Sequence, residues 1–212
     1  MSDGSDANAW LAWARELQAL GQTGLHFAQD PYDRDRYGRL IGIAAAMVAG
    51  HSNLTVPALL QYHAAEFGYA TPKVDVRGVV FRDDRILLVQ ELADERRWTL
   101  PGGWADVNES PAGAVTREVS EESGFAVVAR KLLAVWDREK HGHLPPFPYH
   151  VYKLFFRCEI VGGEARSSDE TGEVAFFRES ELPELSVSRV TRSQIRRLFE
   201  HLRQPELPAD FD

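Results

Sequence analysis

Residues 102–125 read GGWADVNESPAGAVTREVSEESGF, and the rest of the chain is understood from this stretch outward. Its second half carries the punctuation of a helix. Ser110 as N-cap, Pro111 at the first helical position and Gly124 just past the end predict a helix over Pro111–Ser123. Three carboxylates, Glu118, Glu121 and Glu122, lie on it. At about 100° per residue they fall within an arc of roughly 100°, and Ala112, Val115 and Val119 occupy the adjoining arc. The apolar arc is expected to bury against a sheet, which puts the carboxylates at the border between core and solvent. Three anions so close repel one another unless positive charge sits between them. Oxygen ligands at this density suit a hard cation, Mg²⁺ or Mn²⁺, and the sequence offers no convincing Cys/His set for zinc. An arbitrary E-x-x-E-E is more simply a solvated acidic helix face, so the surrounding spacing has to decide.

It does decide. Gly103, Glu109, Arg117, Glu118, the aliphatic Val119, Glu121, Glu122, Gly124 and the apolar Phe125 match the Nudix box at every defined position. Seven fixed identities coincide by chance about once in a billion windows. The chain resembles the Nudix hydrolase family, over the box directly and over about Lys73 to Leu202 by element order. The resemblance implies hydrolysis of a nucleoside diphosphate linked to another moiety, with one or more Mg²⁺ or Mn²⁺ ions as cofactor. It implies Glu118 and Glu122 as principal metal ligands, Glu121 close behind, and a backbone carbonyl of Gly102 or Gly103 assisting. Arg117 is implied to pair with Glu109 and hold the loop against the helix. A planar guanidinium beside three carboxylates would also neutralise part of their repulsion. Gly103 suits a backbone that turns sharply or approaches a ligand closely. The general base is expected either in the box or in the later loop Ser167–Glu173, where Glu170 is favoured over Asp169 and Glu173.

Either side of the box the pattern is that of a mixed sheet. Val74, Val76, Val79, Val80 and Phe81 predict one strand, Asp83-Asp84 a turn, and Ile86–Val89 a second. Trp98–Leu100 lead into Pro101-Gly102-Gly103. Strands are expected over Phe125–Trp136, His150–Ile160 and Val174–Phe177, with a last helix from about Ser188 to Leu202. The first seventy residues read as helices, with Trp10, Trp13, Leu17 and Leu20 at helical spacing, then Leu40, Ile41, Ala44, Met47 and Val48, then Val56–Phe67. Trp10 and Trp13 are expected in the helical core, with a subunit contact as the lesser reading. The fold class is therefore α/β (α+β): a Nudix-type mixed β-sheet sandwiched between helices, preceded by a small all-helical domain. The boundary is placed between residues 1–70 and 71–212.

Substrate contacts are sought among cations and aromatics near the box: Arg96 and Arg97 before the loop, Trp104 within it, and Arg138 and His141 in the segment Trp136–His143. His141 and His143 lack a third ligand at sensible spacing and are expected to face solvent. The helical N-terminus, the context LPGGWADVNESP and the tail Glu181–Arg189 resemble the subgroup with CDP-choline and ADP-ribose pyrophosphatases. There the added helices form a homodimer, and a homodimer is expected here.

Composition fits this reading. A net charge of -8 and a pI near 5.4 argue against a general nucleic-acid binder; they do not exclude an anionic substrate, but suggest that it arrives with a divalent cation. Asp3 and Asp6 with no basic n-region do not read as a signal peptide, and Leu40–Gly50 is too short to span a bilayer. A cytoplasmic protein without membrane partners is expected. The lone Cys158 excludes an internal disulfide and reads as a small half-buried strand residue. Two other functions remain open at this point: removal of an RNA 5′ cap or terminal pyrophosphate, and a nucleotide-sensing regulator that keeps the fold without turnover. The acidic balance counts against the first, and the intact set of box glutamates counts against the second.

Overall fold

The structure, a computed structural model, describes residues 9–64, 66 and 68–212. The chain divides into two compact units, residues 1–72 with 146–150, and residues 73–145 with 151–212.

The first unit holds α1 (Ala9–Phe27), α2 (Pro31–Ala49) and α3 (Val56–Ala64). Asp30 caps α2, its carboxylate accepting from the Tyr32 amide at 2.7 Å. The shared core is Leu11, Ala14, Ala45, Val48 and Leu59. Trp10 packs against it and stacks on His51 with ring centroids 4.3 Å apart. Trp13 and Leu20 are not in it: they are 59% and 55% exposed. Leu11, Ala14, Gly21 and Gln22 form the buried face of α1, and Trp13 and Leu20 lie on the uncovered one. The expected third helix stops at Ala64; Ala65 and Phe67, which the expectation included, lie outside the described residues.

The second unit is built on a mixed seven-stranded sheet. Its strands are β1 (Lys73–Arg82), β2 (Arg85–Glu91), β3 (Trp98–Thr99), β4 (Phe125–Asp137), β5 (Val151–Gly163), β6 (Thr171–Arg178) and β7 (Asp210–Phe211). The order is β3-β2-β1-β5-β4-β7, with β6 antiparallel to β2. β1 and β5 run parallel, Asp75 facing Lys153 and Val80 facing Cys158. Asp83 makes the β1–β2 turn with φ +54°, a conformation Asp tolerates better than most residues.

Two helices cover the faces. α4 (Pro111–Ser123) buries Ala114, Val115 and Val119 against Val76, Val80, Leu87, Phe125, Val127 and Cys158. Ser110 caps it, accepting from the Gly113 amide at 3.1 Å, and Gly124 ends it with φ +77°. α5 (Arg192–Arg203) buries Ile195, Leu198 and Phe199 against Val79, Leu133, Phe155 and Trp136 on the other face. It starts four residues later than the sequence suggests. Residues 186–190 form a turn instead, with Arg189 and Val190 amides both bound to the Ser186 carbonyl. Thr191 and Gln194 then close a reciprocal capping box. Burial pushes the Cys158 thiol up to about 12 and leaves it inert at neutral pH.

Candidate active site

The Pro101–Ala105 segment is laid along β1 by backbone bonds. Gly78 donates to the Pro101 carbonyl at 2.8 Å, Val76 to that of Gly103 at 2.8 Å, and Ala105 to that of Val74 at 3.0 Å. Gly102 has φ +144°, and a Cβ there would stand 2.0 Å from the Val76 carbonyl oxygen. Only glycine fits. A Cβ on Gly103 would meet Glu118 Oε2 at 2.9 Å. The sharp backbone conformation thus belongs to Gly102, and Gly103 supplies the close approach.

The three box glutamates separate by depth. Glu122 is 9% exposed and the Glu118 side chain 13%, but that of Glu121 is 59% exposed. Glu122 Oε2 accepts from the Gly102 amide at 2.8 Å, tying the end of the helix to the turn. Arg117 gathers the rest. Its Nε and Nη2 reach the Glu109 carboxylate at 3.0 and 2.9 Å, and its Nη1 reaches Glu118 Oε1 at 3.0 Å and Glu121 Oε2 at 2.9 Å. Hydrogen bonding to Arg117 holds the Glu109 carboxyl below the usual range. Burial pushes Glu118 up, and pushes Glu122 up to about 7, although Arg77 pulls both down.

Among the described residues no three His, Cys, Asp or Glu side chains converge on one point. Arg117 draws Glu118 and Glu121 towards itself while the Gly102 amide holds Glu122. The donor set nevertheless fits a hard divalent cation. It consists of oxygen alone, with two largely buried carboxylates four residues apart on α4: Glu118, which shares Arg117, and Glu122, which is bound by the Gly102 amide.

A family model described as "NUDIX domain" matches residues 71–199, and one described as "UDP-X-like, N-terminal oligomerisation domain" matches residues 8–62. The chain belongs to the Nudix hydrolase family. A Bacillus subtilis protein named "Putative ADP-ribose pyrophosphatase YjhB" is 45% identical over 96% of this chain and 97% of the relative. Among solved structures, a UDP-X diphosphatase is 30% identical, covers 97% of this chain and 98% of its own, and superposes with a TM-score of 0.61. An ADP-ribose pyrophosphatase from Streptococcus suis is 38% identical over 67% of this chain and all of its own, also at 0.61. This chain is a Nudix pyrophosphohydrolase.

Around the Nudix helix the other candidates fall in different places. The loop before β6 docks on the end of α4: Thr171 Oγ1 donates to the Glu122 carbonyl at 2.6 Å, and the Arg166 amide to that of Ser123 at 3.0 Å. Glu170, one residue before Thr171, is exposed, and its carbonyl accepts from the Leu92 amide at 3.1 Å. Arg96 donates to Gln90 at 3.2 Å and borders a groove of about 320 Å³ with Arg166. Arg97 is engaged by Asp94, Glu95 and Glu184 and lines a cavity of about 810 Å³ with His141 and Arg192. His141 pairs with Asp212 at 3.0 Å and packs on Trp136. Trp104, 45% exposed, borders the turn.

Two expectations are corrected. The Arg138 side chain is not at the surface, where a substrate contact is expected, but is buried and bound to Glu139 and to the Pro145 carbonyl. His143 does not face solvent: it is buried with Nδ1 2.9 Å from the Val187 carbonyl oxygen, and burial lowers its pKa to about 3.

The sequence reading missed the charged residues inside the sheet. Asp75 accepts from Arg77 at 2.9 and 2.6 Å and from Lys153 at 2.6 Å, all three buried. The buried Glu91 pairs with Arg189 at 3.0 Å, and Arg189 lies 3.8 Å from Asp94. The signal was present: Asp75 and Arg77 share one parity of a strand whose middle, Val76 to Phe81, is otherwise apolar or glycine, where charge belongs only if it is paired.

Proposed function

We propose that this Nudix enzyme hydrolyses the diphosphate bond of a nucleoside diphosphate linked to a second group, with ADP-ribose as the first candidate. The products are a nucleoside monophosphate and the phosphorylated second group. Glu122 carries the reading: a buried carboxylate tied to the Gly102 amide, pushed up to about 7 by burial and, among the described residues, with no cationic side chain at hydrogen-bond distance. The names of the relatives support the substrate class, ADP-ribose in two of them and a UDP-linked compound in the third.

In this reading Glu118 and Glu122, with Glu121 and the Gly102 carbonyl beside them, hold Mg²⁺ or Mn²⁺. When bound, the ion withdraws charge from the diphosphate and activates the attacking water. Arg117 keeps Glu109 and the loop against α4, so the carboxylates are presented from a fixed frame. Gly103 leaves room beside Glu118 that a side chain would fill. Glu170 takes the proton from the attacking water, from a loop that Thr171 anchors to the carbonyl of Glu122. The nucleoside occupies the cavity lined by Arg97, His141 and Arg192, whose wall at Asp94 is linked through Arg189 to Glu91, a neighbour of Glu122 in charge. CDP-choline is the runner-up substrate, on the resemblance to that subgroup. The helical region pairs two copies through exposed Trp13, Leu20 and Phe27, and sedimentation at micromolar concentration should report a dimer.

The test is release of phosphate esters from a panel of ADP-ribose, CDP-choline, nucleotide sugars, NADH, dinucleoside polyphosphates and nucleoside triphosphates, with and without Mg²⁺ or Mn²⁺. Metal-dependent cleavage of one diphosphate-linked compound well above the rest supports the proposal. Silence across the panel with folded, metal-saturated protein refutes it.

A further inference from the structure

The chemistry above gives no task to the buried ladder of Lys153, Asp75 and Arg77. Its stability value is poor: three charges are taken out of water, and apolar residues of similar volume would often serve the fold as well or better. Its geometry is more telling. Val76 and Val80 join the α4 core, whereas Val79 joins the α5 core. Strand alternation therefore puts Asp75 and Arg77 on the face opposite α4, behind the Pro101–Trp104 turn. There Arg77 Nη1 donates to the Leu100 carbonyl at 3.1 Å, while Nε and Nη2 grip both oxygens of Asp75. Lys153, facing Asp75 across the β1–β5 pairing, binds the same carboxylate from the neighbouring strand. Leu100 leads directly to Pro101, whose carbonyl is held by Gly78, and to Gly102, whose amide holds Glu122.

We propose that Arg77 is a positioning residue for the Nudix reaction. Lys153 and Asp75 fix its guanidinium, and the guanidinium fixes the turn from which Gly102 aligns Glu122. Arg77 touches no substrate. A guanidinium is needed because one group must reach a carboxylate with two nitrogens and a backbone carbonyl with the third, which an ammonium at the end of a flexible stem does not do rigidly. The inference rests on the role proposed for Glu122.

The experiment compares Arg77→Met, Arg77→Lys and Lys153→Met with the wild type by three readouts: kcat and KM on the substrate the panel selects, amide hydrogen exchange over residues 100–104 in metal-free protein, and Tm. Phe199→Leu, in the α5 core, is the control for general destabilisation. Arg77→Met leaves the Asp75–Lys153 pair intact. It is expected to lower kcat by about ten- to a hundredfold with KM changed by no more than about twofold. Exchange at Gly102 should quicken by about tenfold beyond any change in global stability. Arg77→Lys keeps the charge and should recover little of the kcat. If neither Arg77 variant folds, Lys153→Met, which loosens Asp75, should give the same pattern more weakly. Phe199→Leu should lower Tm without singling out Gly102. The proposal is overturned if Gly102 exchange and kcat stay at wild-type values in the variants that fold, or if Phe199→Leu reproduces both effects. A wild type inactive on every compound would count against the proposed function, while the exchange data would still decide whether the ladder holds the turn.

Discussion

Glu122 and Asp75 are both buried carboxylates beside the same turn, yet burial has opposite outcomes for them. Glu122 is pushed up to about 7, while Asp75, against the same desolvation, is held down at about 2. The difference lies in their partners. Asp75 has the Arg77 guanidinium and the Lys153 ammonium at 2.6–2.9 Å, whereas Glu122 has one amide and the more distant field of Arg77. Asp75 is a closed, fully compensated charge of the fold. Glu122 is an open one: among the described residues no Lys, Arg or His side chain reaches it at hydrogen-bond distance, and in the function proposed above it receives a cation. Burial alone thus does not separate the two; what separates them is how far the buried charge is compensated, and an uncompensated one is the candidate for function.

The comparison can be broken by neutralising each acid in turn. Asp75→Asn leaves two buried cations facing an amide and should cost about 3 kcal/mol or more of stability in denaturant unfolding. Glu122→Gln keeps an acceptor for the Gly102 amide and relieves a desolvated charge, so its unfolding midpoint should stay at or above that of the wild type. Equal losses for the two would remove the distinction drawn here.

A smaller effect concerns His143, whose neutral ring is buried close to Lys153 and Arg138. Its pKa is about 3 in the fold and 6.5 when exposed, so the unfolded chain takes up the proton first as pH falls. Its stabilisation is complete above about pH 6.5 and is lost on going down through about pH 3. The loss should reach about 2 kcal/mol by about pH 5, at about 1.4 kcal/mol per unit. His143→Asn keeps a donor for the Val187 carbonyl and should flatten that acid limb; an unchanged slope would contradict the assignment.

Much of this was legible in the sequence because it is local. The Ser110 cap, Pro111, the apolar face of Val115 and Val119 and the stop at Gly124 lie within fifteen residues, and helix geometry converts that spacing directly into the bounds observed for α4. The Arg117–Glu109 clamp, expected from the resemblance to the Nudix box and not from spacing, also spans only eight residues. What was not legible depends on contacts that arrive from far away. Lys153 meets Asp75 across 78 positions, and Arg138 and His143 are buried by carbonyls of Pro145 and Val187 that no local pattern announces. Trp13 was misjudged for a related reason. A large apolar residue at helical spacing suggests a core, but which face is covered depends on where α2 and α3 pack. The start of α5 was misplaced because the Ser186–Val190 turn binds its own carbonyls in a helix-like way before Thr191 opens the true helix.

The most direct test of the account is metal-dependent release of AMP from ADP-ribose by the wild type and by Glu122→Gln, measured side by side on protein shown to be equally folded. The account predicts turnover that requires Mg²⁺ or Mn²⁺ in the wild type. It predicts a loss of about two to three orders of magnitude in the variant, reflecting several kcal/mol of charge stabilisation. A variant that turns over at the wild-type rate with the same metal requirement would contradict it.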